Sequence, residues 1–195
     1  MIDAIVAWDE DVLLYFQENI RTDWLSPIMK GISFLGHKGI FWIALCLVLL
    51  IFKKTRRLGI ISSMSLALSF LVNNVMLKSI VGRVRPYEVV SGLLRVGNAE
   101  TDTSFPSGHT ACAFAVTVAF FFGCSILWPK IVLAVIAVLT PFSRIYLGVH
   151  YPTDVIVAMF TGTLCAVAMY FLFIFIEKKV KQRKQEKSDE KALTG

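Results

Sequence analysis

Five long apolar runs constrain what this chain can fold into. Each approaches the roughly 20 residues that an α-helix needs to cross a bilayer. In lipid, every backbone polar group must be hydrogen-bonded within the protein, which restricts such runs to helices. With 56% hydrophobic residues in 195, the chain is more apolar than an ordinary soluble domain. We therefore predict an all-α integral membrane helical bundle with five transmembrane helices, built from residues 39–52, 58–77, 108–127, 131–147 and 152–176.

The two ends of the chain are less apolar than the runs. Residues 1–30 mix apolar positions with the acids Asp3, Asp9, Glu10 and Asp11. We interpret them as an amphipathic segment at the membrane interface, with a sixth span as the alternative. The transmembrane domain then covers residues 31–177. Residues 178–195 are rich in Lys and Glu and predict a charged cytoplasmic tail that is frayed or disordered.

The charge of the chain follows the same division. The net charge is +6, but the basic residues gather at the ends of the apolar runs, so we predict a membrane-orientation signal and no nucleic-acid binding. Residues 53–57, Lys130 and the start of the tail fall on one face if the runs alternate. By the positive-inside rule that face is cytoplasmic. The 79–104 loop and residues 148–151 then lie on the extracytoplasmic face.

That second face collects the polar residues that mark the helix ends. Ionisable groups at membrane depth are costly and are functional candidates by default. Three cations require an anion, Arg offers a planar fork to phosphate oxygens, and the start of a helix adds backbone N–H donors. This arrangement suits a phosphoryl group. The residues that alternation brings together are Lys78, Arg85, Ser107, Gly108, His109, Arg144, His150 and Asp154.

The two histidines suit different steps of a phosphoryl transfer. Asp154 lies near the start of its helix and is placed to reach back to His150. A carboxylate on one imidazole nitrogen fixes the tautomer and leaves the other nitrogen as a nucleophile. His109 has no acidic neighbour in sequence and is the better candidate for the acid that protonates the leaving oxygen. The same face has no carboxylate cluster or HxxxH spacing, so we expect no metal and no cofactor.

Three motifs in the chain resemble those of the type 2 phosphatidic acid phosphatase (PAP2) superfamily. They are KSIVGRVRP at residues 78–86, PSGH at 106–109, and the Ser-Arg, His and Asp of residues 143–154. The resemblance implies a helical bundle and a metal-independent phosphatase that forms a phosphohistidine. It implies His150 as nucleophile, Asp154 as its partner and His109 as acid. The residues that would hold the phosphate are Lys78, Arg85, Ser107, Gly108 and Arg144.

Function follows from this site and from the absence of a sizeable soluble domain to cover it. We predict a multi-pass cell-membrane hydrolase that acts on a lipid phosphate from the extracytoplasmic side. The resemblance suggests undecaprenyl diphosphate, phosphatidylglycerophosphate or phosphatidic acid, and we favour an isoprenoid diphosphate or a broad lipid specificity. The alternative is a non-catalytic membrane protein that binds or transports lipid. Arg83 and Arg95 lie outside the motif positions, and we interpret them as loop charges near the headgroups. The sequence predicts no oligomeric state.

Overall fold

The computed structural model describes the backbone of residues 2–194 and the side chains of residues 3–189. Helices make up 79% of the chain, and the described residues contain no strand. A π-helical segment, Phe16–Ile20, extends the first α-helix, and another, Leu71–Leu77, joins the fourth to the fifth. The helices in chain order are α1 Ile2–Tyr15, α2 Leu25–Leu35, α3 Ile40–Ile51, α4 Arg56–Phe70, α5 Lys78–Val81, α6 Pro86–Val89, α7 Gly108–Gly123, α8 Leu127–Tyr146 and α9 Pro152–Thr194.

The helices confirm the prediction of an all-α membrane bundle. Four helical stretches are long and apolar enough to cross a membrane, by length and composition: Leu25–Ile51, Arg56–Val89, Leu127–Tyr146 and Pro152–Asp189. Helix α7 is apolar but has only 16 residues. The number of spans, whether five or six, stays a prediction.

Helix α7 lies at the centre of the bundle, between α4, α8 and α9. Ala111, Ala115 and Ala119 follow one face of α7 at four-residue spacing and are fully buried. The facing helix α4 buries Ser62, Ser65 and other small residues. Small side chains let helix backbones approach closely, which is the usual source of packing energy where lipid removes the hydrophobic drive between helices.

The first predicted run, residues 39–52, corresponds to α3, which begins directly after a sharp turn. The turn His37–Gly39 separates α2 from α3, with Lys38 at φ +50° and Gly39 at φ +70°. These left-handed conformations end α2 and redirect the chain. Helix α2 then packs on α8, whereas α3 packs on α4.

The N-terminal segment packs on the end of the bundle at which α7 and α9 begin and α8 ends, which we call the site end. Leu13 of α1 is fully buried against Val90, Leu93 and Tyr151. Beyond α1, Arg21 Nε donates to the carbonyl oxygen of Tyr146 at 2.7 Å. The interfacial interpretation of residues 1–30 stays a prediction, but this segment is part of the packed domain.

The prediction of a frayed or disordered tail is wrong, because α9 continues as a helix to Thr194. The tail consists mainly of strong helix formers such as Lys, Glu and Gln. Polar pairs one turn apart support it: Lys181 Nζ lies 3.8 Å from Glu177 Oε1, and Gln185 donates to Asp189 at 3.0 Å.

Close packing of α7 on α9 predicts that Gly162→Ala destabilises the protein. A Cβ on Gly162 would lie 2.5 Å from the carbonyl oxygen of Ala111, so the two backbones must separate. Overpacking of this kind costs about 1–3 kcal/mol. We expect a lower unfolding temperature in detergent, followed by tryptophan fluorescence. Gly31→Ala is the matched control, since nothing lies within 4 Å of that Cβ. Equal unfolding temperatures for the two variants would contradict this packing.

Candidate active site

One cavity of about 890 Å³ opens at the site end and contains most of the predicted site residues. Its polar wall includes Lys78, Arg85, Gly108, His109 and His150. The other three predicted residues lie buried beside it and support that wall: Ser107, Arg144 and Asp154. The structure thus brings all eight residues to one end of the bundle, as the alternation of helices requires.

The three predicted phosphate-binding cations are already paired with carboxylates of the 79–104 loop. Asp102 forms ion pairs with both Lys78 and Arg85, and its Oδ1 lies 2.5 Å from Arg85 Nη2. Glu100 Oε1 lies 2.5 Å from Arg144 Nη2. Two carboxylates of the chain therefore neutralise the three cations in this structure.

Both loop carboxylates are ionised at neutral pH. Burial opposes their ionisation, but the hydrogen bonds and charges of Lys78 and Arg85 outweigh it and lower the pKa of Asp102 to about 2. Arg144 likewise outweighs burial and lowers the pKa of Glu100. Asp102 remains half-exposed, so solvent screens its pairs. A ligand with more negative charge would therefore be able to displace the Asp102 carboxylate from these pairs.

Arg85 of the cavity wall and Arg144 beside it are also held by uncharged partners. Arg85 donates through Nη1 to the carbonyl oxygen of Val149 at 2.7 Å, and through Nε to that of Asp102 at 2.8 Å. Arg144 donates to Ser33 Oγ of α2 at 2.6 Å. These bonds hold both guanidinium groups in place whether or not an anion is bound, which is the preorganisation that charge stabilisation requires.

His150 is buried between Arg85 and Asp154. Its Nε2 lies 3.3 Å from Arg85 Nη1, and its Nδ1 lies 3.4 Å from Asp154 Oδ2. Arginine only donates, so Nε2 faces it as the acceptor and the ring proton sits on Nδ1, towards Asp154. Burial lowers the pKa of His150 well below its ordinary value, and the charges of Arg144 and Arg85 lower it further. A neutral imidazole whose unprotonated nitrogen is Nε2 has the protonation state of a nucleophile.

Asp154 is held by more groups than the sequence indicates. Its Oδ2 accepts from the backbone N–H of Tyr151 at 3.0 Å and from the hydroxyl of Ser104, and its Oδ1 accepts from Arg83 Nη1 at 2.8 Å. The interpretation of Arg83 as a headgroup-facing loop charge is therefore wrong. Residues 82–85 have no regular structure, and Arg83 turns inwards to contact the first turn of α9. Arg95 is an exposed loop residue, as predicted.

The start of α7 is joined to the start of α9. The backbone N–H of Ser107 donates to the carbonyl oxygen of Asp154 at 3.2 Å, so this donor is already used within the protein. Gly108 faces the cavity, and a Cβ there would lie 2.7 Å from Asn74 Nδ2. The ring of His109 packs on Gly36, where an added Cβ would lie 2.7 Å from His109 Cδ2. The assignments of Ser107 and Gly108 to phosphate binding stay predictions.

Sequence reasoning missed three further polar residues near the site. Asn74 lines the cavity, and its buried Oδ1 has no hydrogen-bond partner among the described side chains. The polar pair Asn73–Asn74 inside an apolar run was its signal. Asp9 is buried on the same face of α1 as Leu13, an unusual place for an acid. Arg83 lies two residues before Arg85, a spacing that points both side chains to the same side of an extended segment.

The cavity continues from its polar wall into an apolar groove between α3 and α4. Ile43, Leu47, Leu66 and Phe70 line that groove. Leu47 and Phe70 are more than half exposed, so the groove reaches the surface that faces lipid. A single cavity therefore offers cations at one end and hydrocarbon at the other.

These features define a multi-pass membrane protein whose cavity brings cations, a buried histidine and an apolar groove together. The model of the PAP2 superfamily matches residues 58–178, and the chain belongs to this superfamily. The resemblance inferred from the motifs is confirmed.

Named relatives agree with this membership. The chain is 32% identical to an undecaprenyl-diphosphatase of Sulfolobus acidocaldarius over 163 residues, which cover 81% of this chain and 76% of the relative. It is 32% identical to phosphatidylglycerophosphatase B of Bacillus subtilis over 179 residues, which cover 86% and 82%. The crystal structure of a transmembrane PAP2 type phosphatidylglycerolphosphate phosphatase from Bacillus subtilis matches with a TM-score of 0.71 at 30% identity, covering 91% of this chain and 88% of that one. The chain is thus a phosphoric ester hydrolase, as predicted.

Pairing of Asp102 with Lys78 and Arg85 predicts that Asp102→Asn strengthens inhibition by inorganic phosphate. The phosphate no longer displaces a carboxylate, and a gain of about 1 kcal/mol lowers the inhibition constant roughly fivefold. The measurement is inhibition of hydrolysis of a water-soluble phosphate ester in detergent. Glu88→Gln, an exposed acid on α6, is the control that removes one negative charge elsewhere. An unchanged or weaker inhibition in Asp102→Asn would show that this carboxylate does not compete.

Proposed function

We propose that this protein hydrolyses the phosphate ester or diphosphate of a membrane lipid, on the extracytoplasmic face, through a phosphohistidine and without a metal. The observation that carries the proposal is the position of His150, whose Nε2 reaches a cation-lined cavity that continues into an apolar groove. Cations supply the charge for a phosphoryl group, and the groove takes the start of a lipid tail. Both are needed only by a substrate that is part phosphate and part hydrocarbon.

In the first step, the His150 Nε2 lone pair attacks the phosphorus in line with the leaving oxygen. The N–P bond forms as the P–O bond breaks, and His109 gives its proton to the leaving oxygen. Asp154 stabilises the positive charge that the His150 ring acquires. Lys78, Arg85 and Arg144 stabilise the charge on the equatorial oxygens.

In the second step, water attacks the phosphohistidine. His109, now neutral, takes a proton from the water, the N–P bond breaks, and inorganic phosphate leaves with His150 restored. His109 begins the cycle protonated, although a helix N-terminus disfavours a cation there. The bound phosphate anion offsets that cost, so His109 acts as an acid only when substrate is present.

The lipid class follows from the cavity and from the relatives. A volume of about 890 Å³ accommodates a phosphorylated headgroup and the first part of a tail, and the groove contains only side chains that contact hydrocarbon without discriminating it. We therefore favour an isoprenoid diphosphate or a broad range of lipid phosphates. Undecaprenyl diphosphate, phosphatidylglycerophosphate and phosphatidic acid are the candidates, and the first two correspond to the relatives' named activities.

The orientation is supported by the basic residues at the opposite end of the bundle. Arg57, at the start of α4, pairs with Glu177 of α9 at 3.0 Å, so both belong to that end. Lys53, Lys54 and Lys130 flank the helix connections there. By the positive-inside rule that end is cytoplasmic. The C-terminus would then lie in the cytoplasm, and the site would lie on the extracytoplasmic face.

The proposed chemistry predicts phosphate release from a lipid-phosphate panel by purified protein in EDTA, and none by His150→Gln. Trapping with ³²P-labelled substrate should give an acid-labile phosphoenzyme in the wild type. His37→Gln, which changes the one histidine outside the three motifs, should keep the label. Loss of activity on chelation would contradict the metal-free mechanism, and turnover by His150→Gln would contradict the nucleophile assignment. A protein that binds these lipids without releasing phosphate would be the non-catalytic alternative.

The proposed orientation predicts that Asn98→Cys reacts with a membrane-impermeant maleimide from outside intact cells. Asn98 is exposed in the 79–104 loop at the site end. Lys54→Cys, exposed at the opposite end, is the matched control and should react only after the cells are permeabilised. Both belong in a background whose four native cysteines are replaced. The reverse labelling pattern would invert the orientation.

A further inference from the structure

Asp9 of the N-terminal helix is a buried carboxylate with a complete set of partners. Its Oδ1 accepts from the backbone N–H of Thr153 at 2.9 Å. Its Oδ2 accepts from Thr153 Oγ1 at 2.5 Å and from Arg83 Nη2 at 2.7 Å. Its side chain is fully buried. None of the motif positions includes this acid.

Arg83 joins this carboxylate to that of Asp154. Its Nη1 donates to Asp154 Oδ1 at 2.8 Å, while Nη2 donates to Asp9. Its guanidinium also stacks 3.6 Å from the ring centroid of Tyr151. An arginine side chain keeps its charge in a protein. One cation thus lies between two buried carboxylates.

Asp9 also caps α9 from another helix. Helix α9 begins at Pro152, so the N–H of Thr153 belongs to its first turn, where no partner exists within the helix. A carboxylate at this place satisfies that donor and interacts favourably with the helix dipole. Asp154 is the next residue. The orientation of the Asp154 carboxylate is therefore fixed directly by Arg83, and indirectly by Asp9, which binds both Arg83 and Thr153.

We propose that Asp9 and Arg83 are positioning residues for Asp154, so that helix α1 takes part in catalysis. The inference rests on the proposed function, since it takes Asp154 to stabilise the charge on His150. With Asp9 present, the charge of Arg83 is shared between two carboxylates. Asp154 is therefore only partly neutralised and can still stabilise a positive charge on the His150 ring. Without the charge of Asp9, Arg83 binds Asp154 alone, and the first turn of α9 loses the negative charge beside it. The chemical step slows, while the phosphate-binding cations are untouched.

The direct test is steady-state kinetics of full-length Asp9→Asn on the lipid substrate in detergent. We expect kcat to fall about tenfold, which corresponds to ~1.4 kcal/mol, with KM changed less than twofold. The matched control is Asp11→Asn, an exposed acid on the same helix. The inhibition constant for inorganic phosphate should equal that of the wild type, which shows that the cation pocket is assembled in the variant.

A double-mutant cycle separates positioning from general stability. Asp154→Asn alone should lower kcat more than Asp9→Asn does. If Asp9 acts through Asp154, adding Asp9→Asn to Asp154→Asn should cause no further loss. Arg83→Lys, which keeps the charge but lacks the fork, should retain more activity than Arg83→Gln. Thermal unfolding of each variant by tryptophan fluorescence accompanies the kinetics.

Two results would overturn the proposal. One is a normal kcat in Asp9→Asn, which together with a lower unfolding temperature would describe a purely structural pair. The other is an additive loss in the double variant. A defective Asp154→Asn beside a normal Asp9→Asn overturns only the positioning role. Full turnover in Asp154→Asn overturns the proposed function and this inference together.

Discussion

A charge removed from water needs an opposite charge beside it, and this constraint arranges the site end of the molecule. Four cations gather there, and each has a carboxylate within ion-pair distance. The carboxylates differ in exposure. Asp9 and Asp154 are fully buried, whereas Glu100 and Asp102 are 26% and 50% exposed. The buried pair is a permanent part of the structure, and the exposed pair belongs to a loop. A phosphate dianion carries about the charge of the two loop carboxylates together, so a phosphate bound in their place would leave the charge of the cavity unchanged.

The sequence predicts the class of fold and the location of the site because both depend on local patterns. Lipid restricts an apolar run to a helix, so the lengths of the runs predict the bundle. Alternation then brings Lys78, Arg144 and His150 to one end without knowledge of any contact. Arg83 and Asp9 are different. They lie 74 residues apart in sequence, and their contact depends on how residues 82–85 place Arg83 at the first turn of α9, which no local pattern specifies. By contrast, the run predicted to start at Gly39 matches a helix that begins at Ile40, because the residues of the turn before it are a local signal.

The start of α9 concentrates several functions in a few residues. His150 precedes the helix, the N–H of Thr153 requires a cap, and Asp154 reaches back to the N–H of Tyr151. The carbonyl of Asp154 also accepts the N–H of Ser107, which fixes α7 relative to α9. A shift of this one turn would move both histidines relative to the cations. Its position is accordingly held by bonds from α1, from the 79–104 loop and from α7.

The cavity joins a charged wall beside water to an apolar groove beside lipid, and this arrangement would separate the two products of hydrolysis. A lipid bound along it keeps its tail at the level of the bilayer, and so reaches the site by diffusion in two dimensions. After hydrolysis the two products belong to different phases. Inorganic phosphate partitions into the water beside the loop, and the dephosphorylated lipid partitions back into the membrane beside α3 and α4. The two products would therefore leave by different ends of the cavity and would not compete for one exit.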